Sequence, residues 1–540
     1  MTCCRRIEKK SFMKKINHKI ILPLLILMGV CFSNCTKKLD ETLYSVDTNS
    51  NFYQNKDQVM AAYVLPYSYM QTHVYQVHFQ DVEFVTDEAC VPVVFGYVDQ
   101  EGQWLRFHQH TWTSRDFWIL LEWQDLYQAI GYCNNFIDNI QNVDISTMDL
   151  PISKDQMIAE TRMVRALHYY WALSEFGNIP IVEHVGEKNP TNSTPAEAFA
   201  FIEKEIKESI PNLSEKGDDG WYGHFTKTAA YSLLAKLYLN AKTITGEDHW
   251  QDCIDACDAV IQSGNYQLDA HWNDPFKVNN TSSNENIYVI PFDANNAQNF
   301  NFIEQNIHEN IIVYEYSSNP GSYDVDYGWR KISTQESFFD LFKPNDRRIN
   351  QWVVGPQYYT DENGDQQQVP DWSDEPMDIT PHINDLFDAT DDEGVMNIKY
   401  EIQFNYGNYG SNGFVNMNND MVIFRYADIL MMKAECLMRL NGNAATAEAV
   451  NLVNQVRARS FSQNDPDAKY TTGTLTMNEL LNERGREFAY EMFRREDLLR
   501  FDKFNEAWWE KETSDPHYNI FPIPFDIITA NPALKQNPGY

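Results

Sequence analysis

Residues 480–540 constrain the fold more than any other part of this sequence. Segments in such a position are usually loose and polar. This one carries Phe521, Pro522, Ile523, Pro524, Phe525, Ile527, Ile528 and Tyr540 behind a charged run, LLNERGREFAYEMFRREDLLRFDKF, whose spacing predicts an amphipathic helix. Side chains this apolar need a partner surface, so the rest of the chain is expected to pack around them. The charged residues Glu483, Arg484, Arg486, Glu487, Arg494, Arg495, Glu496 and Asp497 fall at ion-pairing spacing along one long helix. They read as specifying the fold, with ligand recognition placed elsewhere.

The surface for that packing is helical. A 3.6-residue apolar period predicts helices over 57–72, 115–140 and 153–176, the first with Pro66 as a kink site and the last closed by Gly177. Thr194-Pro195-Ala196-Glu197 is a capping box with proline at the first helical position, and Pro211 ends that helix. Residues 226–242 with 248–263, and 424–440 with 444–459, read as helical hairpins. Their small residues Ala230, Ala235, Ala256, Ala259, Ala434, Ala445 and Ala449 permit close approach. The pairs are similar to tetratricopeptide units, although neither keeps the 34-residue period. The stretch from Asp81 to Thr113 reads as a long aromatic loop. Between 270 and 420 Asn, Asp, Gly, Tyr and Pro dominate, with strand-like runs NIYVIPF and QWVVGPQYY. Asn363-Gly364 there reads as a hairpin turn, and the Asp361, Asn363 and Asp365 spacing does not match a calcium loop.

The fold class is therefore mostly α, with tetratricopeptide-like helical hairpins and an irregular, partly β, loop-rich C-terminal subdomain. The expected segments are 1–34 as a signal peptide (Met13 being an alternative start), 35–55 as a tether, 56–270 as a helical region, 271–420 as a loop-rich insert, and 421–540 as a helical hairpin with the apolar tail. The signal reading rests on seven basic residues before an apolar run of roughly 13, too short for the roughly 20 that cross a bilayer. Cys35 follows directly and reads as the lipidated residue of the mature protein.

A formal charge of −34 spread along the chain excludes nucleic acid as a partner, because phosphate binding needs a concentrated basic face. Beyond Cys35 the cysteines are Cys90, Cys133, Cys253, Cys257 and Cys436, an odd number that reads as buried thiols. No nucleophile motif, phosphate loop, dinucleotide fingerprint or zinc-spaced cluster is present, so no cofactor, resident metal or enzymatic activity is expected. Carboxylates are too numerous for spacing to single out a glycosidase pair, which is defined by separation in space.

What remains is aromatic side chains within polar sequence. Sugar rings stack their CH faces on Trp and Tyr, while their hydroxyls need Asn, Asp, Gln or Arg nearby. Three clusters fit: Phe95, Tyr97, Asp99, Gln103, Trp104 and Arg106; then Tyr314, Tyr316, Tyr323, Asp324, Tyr327, Trp329 and Arg330; then Trp352, Tyr358, Tyr359 and Trp372. The candidate ligand-binding residues are Tyr97, Asp99, Trp104, Arg106, Tyr323, Tyr327, Trp329, Trp352 and Tyr359. The alternative for any one ring is a place in the core beneath a long loop.

The chain as a whole resembles the SusD/RagB family of outer-membrane lipoproteins. The resemblance runs through DVEFVTDEA, WLRFHQHTWT to YCNNFIDNI, ETRMVRALHYYWALSEFGNIPIV, YSLLAKLYLNA, FRYADILMMKAECLMRLNG, NQVRARS, NERGREFAYEMFRREDLLRF and FPIP…NPALKQNPGY, in order. It implies a SusD-like fold of four tetratricopeptide-like hairpins with an irregular part packed on them. It also implies a non-enzymatic role at the cell surface, in which an oligosaccharide ligand is captured by the lid of a SusC-like TonB-dependent transporter. Some members take peptides. A helical-repeat scaffold that holds only a protein partner is a further alternative. Two departures stand out. Many relatives carry an Arg-Gly-Gly-Asp-Trp-like stretch where this chain has Phe95-Gly96-Tyr97-Val98-Asp99. Thr36-Lys37-Lys38 also separates Cys35 from the acidic Asp40-Glu41.

Overall fold

Short polar side chains start the helices at the expected places. Asn55, Ser153, Thr194, Thr226 and Thr446 each accept a backbone N–H from the first turn of the helix that follows. The helices are α1 (Lys56–His73), α2 (Phe117–Ile140), α3 (Lys154–Phe176), α4 (Pro195–Ser209), α5 (Lys227–Thr245), α6 (Trp250–Ser263), α7 (Tyr426–Leu440) and α8 (Ala447–Ala458). Thr194 and Glu197 make both bonds of the capping box. Each helix packs on the one before it, from α1 through α8, which yields four successive hairpins. Ala230, Ala235, Ala256, Ala434 and Ala449 are buried in these contacts, where a missing side chain lets the backbones approach. This computed structural model describes residues 52–218, 220–316, 320, 332–403 and 416–540. The expected signal segment, Cys35, nearly all of the tether, Tyr323, Tyr327 and Trp329 lie outside the described residues.

Residues 53–540 form one unit, mostly helical with small two-stranded sheets. Strand β1 (Asn286–Ile290) pairs antiparallel with β2 (Met421–Arg425), and every residue of both is buried. The sequence places Phe424 in a helix; β2 takes it instead, because a strand buried on both faces shows no alternation to read. Tyr358–Thr360 pairs with Gln366–Gln368 around the expected turn, with Gly364 at φ +86° and Asp361 accepting the N–H groups of Asn363 and Asp365. The five described cysteines are buried thiols, none in a disulfide among the described residues.

Two expectations change. The stretch Asp81–Thr113 is not a loop throughout: it is helical at its start and again at Gln103–His108. Helix α1 runs on through a π-helical turn, Val74–His78, into Phe79–Glu83, and Asp81, Glu83, Phe84 and Val85 are fully buried. Burial on all sides removes the amphipathic period that would have revealed it. The tail run is not one helix. It is α9 (Met477–Phe488) and α10 (Arg494–Arg500), broken where Tyr490 and Met492 take φ of +58° and +65°. Carboxylates from far away in the chain hold the break open: Glu88 accepts the Tyr490 N–H and Glu83 the Met492 N–H, at 2.5 and 2.6 Å.

The apolar tail is buried in part. Phe521 and Ile523 are inaccessible, Phe521 lying against Phe107, Trp112 and Phe176, and its N–H donates to the Glu175 carbonyl at 2.7 Å. Tyr540 accepts from the Trp112 indole and donates to the Ile520 carbonyl. Phe525 stays exposed beneath the Arg115 guanidinium.

The charged tail residues are buried and pair mostly between elements, not along one helix. Arg425, at the end of β2, meets Glu285, Glu487 and Glu491 at 2.7, 2.9 and 2.6 Å. Arg348 meets Asp346, Glu483 and Glu487, and Arg484 meets Asp428 and Asp497. Burial alone would raise these carboxyls. The Arg348, Arg486 and Arg457 guanidiniums outweigh it and hold Glu483 at about 2, and Arg484 with Arg500 does the same for Asp497. A folded-state value below the unfolded one stabilises above the unfolded value of about 4 and is lost as pH falls through 2. Glu83 and Glu122, pushed up to about 8 by burial, act in the opposite sense and only above about pH 4.5. Thermal melts should therefore fall steeply between about pH 4 and pH 2. A melting temperature unchanged to pH 2 would refute the ionic core.

Candidate ligand-binding surface

The first sequence cluster lies on a loop built around a tight turn. The Tyr97 N–H donates to the Val94 carbonyl at 3.0 Å, with Phe95 and Gly96 at φ +49° and +76° between them. Two positive φ values at the centre define a type I′ turn, which glycine and asparagine favour and a bulky ring does not. A phenylalanine held there stores strain of about 1–3 kcal/mol, a cost that concentrates at functional sites. The loop is strapped to residues 386–389: Val93 N–H donates to Leu386, Phe95 N–H to Ala389, and Ala389 N–H back to Val93. Phe95 is 54% exposed and Tyr97 71%.

A second ring extends this surface. Trp372 lies 6.3 Å from Phe95, centroid to centroid, and 4.7 Å from His308. Its indole N–H donates to Glu309 Oε1 at 2.9 Å and its backbone N–H to Asp391 Oδ2 at 2.8 Å, fixing both ring and chain. Glu309 opens a short helix, Glu309–Glu315, that carries Tyr314 about 7.5 Å further along its axis. Tyr314 packs 4.7 Å from Tyr359 on the hairpin described above, and the neighbouring Tyr358 is exposed. Burial pushes the Tyr359 hydroxyl up and the Glu315 carboxyl up to about 7, so Glu315 is partly protonated near neutrality. Two ring pairs, Phe95 with Trp372 and Tyr314 with Tyr359, lie towards the two ends of the short helix Glu309–Glu315, and Tyr97 stands exposed on the turn beside the first; together they are the candidate strip. Such a strip suits a neutral, hydroxyl-bearing ligand with flat apolar faces.

Of the residues singled out from sequence, Tyr97 and Tyr359 reach this strip. Trp104 does not: it is 1% exposed among Phe84, Phe107 and Trp118, and its indole donates to Asp99 Oδ2 at 2.8 Å. Trp352 does not either, being 4% exposed among Phe338, Phe342 and Tyr490. Neither ring has a face to offer a ligand, and the expectation for both is corrected. Asp99 and Arg106 hold the loop, Arg106 through Asp116 and the Glu101 carbonyl. Phe95, Tyr314 and Trp372 belonged to the clusters but not to the chosen set. The available signal for Trp372 was its setting in PDWSDEP, which no apolar period crosses.

Residues 259–540, more than half of the chain, match the sequence profile of the SusD family. The chain belongs to that family. Residues 70–239 also match a SusD-like profile described as "Starch-binding associating with outer membrane". Among relatives, the starch-binding protein SusD of Bacteroides thetaiotaomicron is 25% identical over 460 residues, covering 78% of each chain. A solved laminarin-binding SusD-like protein superposes with a TM-score of 0.68 at 21% identity, covering 90% of this chain and all of the other. Surface glycan-binding protein A of B. thetaiotaomicron, solved with laminarihexaose, gives 0.64 at 17% identity over 89% of this chain and 99% of its own. SusD-family proteins are carbohydrate-binding, non-catalytic and associated with the outer membrane.

Proposed function

We propose that this SusD-family chain binds a neutral oligosaccharide along the strip from Tyr97 to Tyr359 and passes it to a SusC-like TonB-dependent transporter. Cys35 carries the lipid that anchors it at the outer-membrane surface. The observation that carries this reading is the exposed, strained aromatic turn at Phe95-Gly96-Tyr97, set beside Trp372. Relatives named for starch and for laminarin support glucans as the first class to try. Stacking with neutral hydrogen bonds, and no desolvated charge pair, suits modest affinity and therefore release to a transporter. No bond chemistry is needed.

The test is a calorimetric panel of malto- and laminari-oligosaccharides, other glycans and short peptides. At least one glycan is expected to bind. Binding of peptides with no glycan would replace this reading by the peptide-binding one. Co-purification with a large β-barrel from membranes tests the transporter half, and its absence would leave a binding protein acting alone.

A further inference from the structure

Far from the strip, the π-helical turn after α1 places His78 between α2 and α3. Its ring Nδ1 lies 2.9 Å from Glu122 Oε1 and 2.9 Å from Glu175 Oε1, and all three residues are buried. Nδ1 is hydrogen-bonded with Glu122 Oε1, and Glu175 Oε1 sits at the same distance from it. Both Glu175 carboxylate oxygens, Glu122 Oε2 and both oxygens of the fully buried Asp81 accept no hydrogen bond among the described residues. Asp81 interacts electrostatically with Glu122, Glu175 and His78. Arg495 is the cation facing Glu175, and its guanidinium donates to Ser174 and to the Asn519 carbonyl. His168 and His73 lie beyond, bonded ring to ring at 3.3 Å, and Trp171 covers His78 at 4.3 Å.

We propose that His78, Glu122 and Glu175, with Asp81 beside them, bind a divalent transition-metal cation. Donor atoms 2.9 Å apart match neighbouring corners about 90° apart, as in an octahedral-type sphere with bonds of about 2.0–2.1 Å. The three donors all lie within 4.8 Å of one another. One imidazole nitrogen with carboxylate oxygens selects Zn2+ or a similar cation over Ca2+, which takes oxygen ligands alone. Binding displaces the Nδ1 proton, so the ring ligates as neutral imidazole. A π-helical turn is also where functional side chains are commonly set. The bound ion joins the α1 extension, α2 and α3 beneath the tail, whose Phe521 N–H bonds the Glu175 carbonyl. Its role is structural and independent of the glycan strip.

The test exposes the purified full-length protein to Zn2+ or Co2+, desalts it, and measures retained metal, the Co2+ visible spectrum, and the melting temperature with and without chelator. About one equivalent should be retained, with ligand-field bands, and chelation should lower the melting temperature by several degrees. Glu122→Gln keeps the side chain's size; it should retain at least about tenfold less metal and lose the chelator response. Wild type with no retained metal and the same melt with and without chelator would overturn the proposal and leave a proton-held cluster. Equal retention by Glu122→Gln would overturn it too, placing the metal at surface histidines. The wild-type measurements can overturn the proposal by themselves even if the variant does not fold.

Discussion

Replacing Arg425 by methionine is expected to destabilise the fold by about 3–5 kcal/mol, the cost of removing one partner from a buried ion cluster. Arg425 has no exposed surface and joins three glutamates, one before β1 and two in or just after α9, while its guanidinium plane lies 4.6 Å from the Phe488 ring. Lys399, Arg459 and Arg348 remain near the same carboxylates and compensate only in part, because each is already bonded. Denaturant unfolding measures the loss. Adding Glu487→Gln to the variant should restore part of it, since the two residues share one network. Lys207→Met, which removes an exposed pair with Glu203, should change stability by no more than about 0.5 kcal/mol. If Arg425→Met costs less than about 1 kcal/mol, the buried ions do not hold the tail to the strands.

The second large effect is on binding. Tyr97→Ala and Trp372→Ala should each weaken the glycan identified by the panel by about tenfold or more, and together by about a hundredfold, at 1.4 kcal/mol per tenfold. Tyr97 is well exposed and its loss should hardly move the melting temperature, whereas Trp372→Ala also removes the indole bond to Glu309 and should lower it by a few degrees at most. Trp104→Ala should do the reverse: it empties a core position at a cost of about 3–5 kcal/mol and touches no ligand. Calorimetric titration beside thermal melts separates the two patterns. A double variant that binds within twofold of wild type would remove the strip as the site.

The helical half was readable wherever one face of a helix meets solvent. The capping box at Thr194 and the hairpin of α5 and α6 follow from local spacing and small residues, which act over one or two turns. The reading failed where burial is two-sided, as at Asp81 and Glu83 or in β2, because no polar face remains to set a period. It failed again at Tyr490, whose left-handed backbone depends on a carboxylate at position 88. The aromatic site divides the same way. Tyr97 and Trp104 sit seven residues apart in equally polar sequence, and only the turn at Phe95-Gly96 sends one outward while the other packs under Phe84. Composition marked ring-rich, polar neighbourhoods without distinguishing their exposed rings from their buried ones. Three-dimensional strapping by residues 386–389 chose among their rings.

The bonds from Glu83 and Glu88 to the break between α9 and α10 have a consequence for the order of assembly. These acids lie in the first part of the chain to be synthesised, and the N–H groups they accept come 409 and 402 residues later. Until those residues arrive, two carboxylates destined for a dry interior lack these partners, so the early helices can stack but cannot close over them. A partly synthesised chain therefore keeps a hydrated, acidic seam open. The seam seals only when residues 490 and 492 reach it, so a chain cut short before them lacks the donors that these two acids accept.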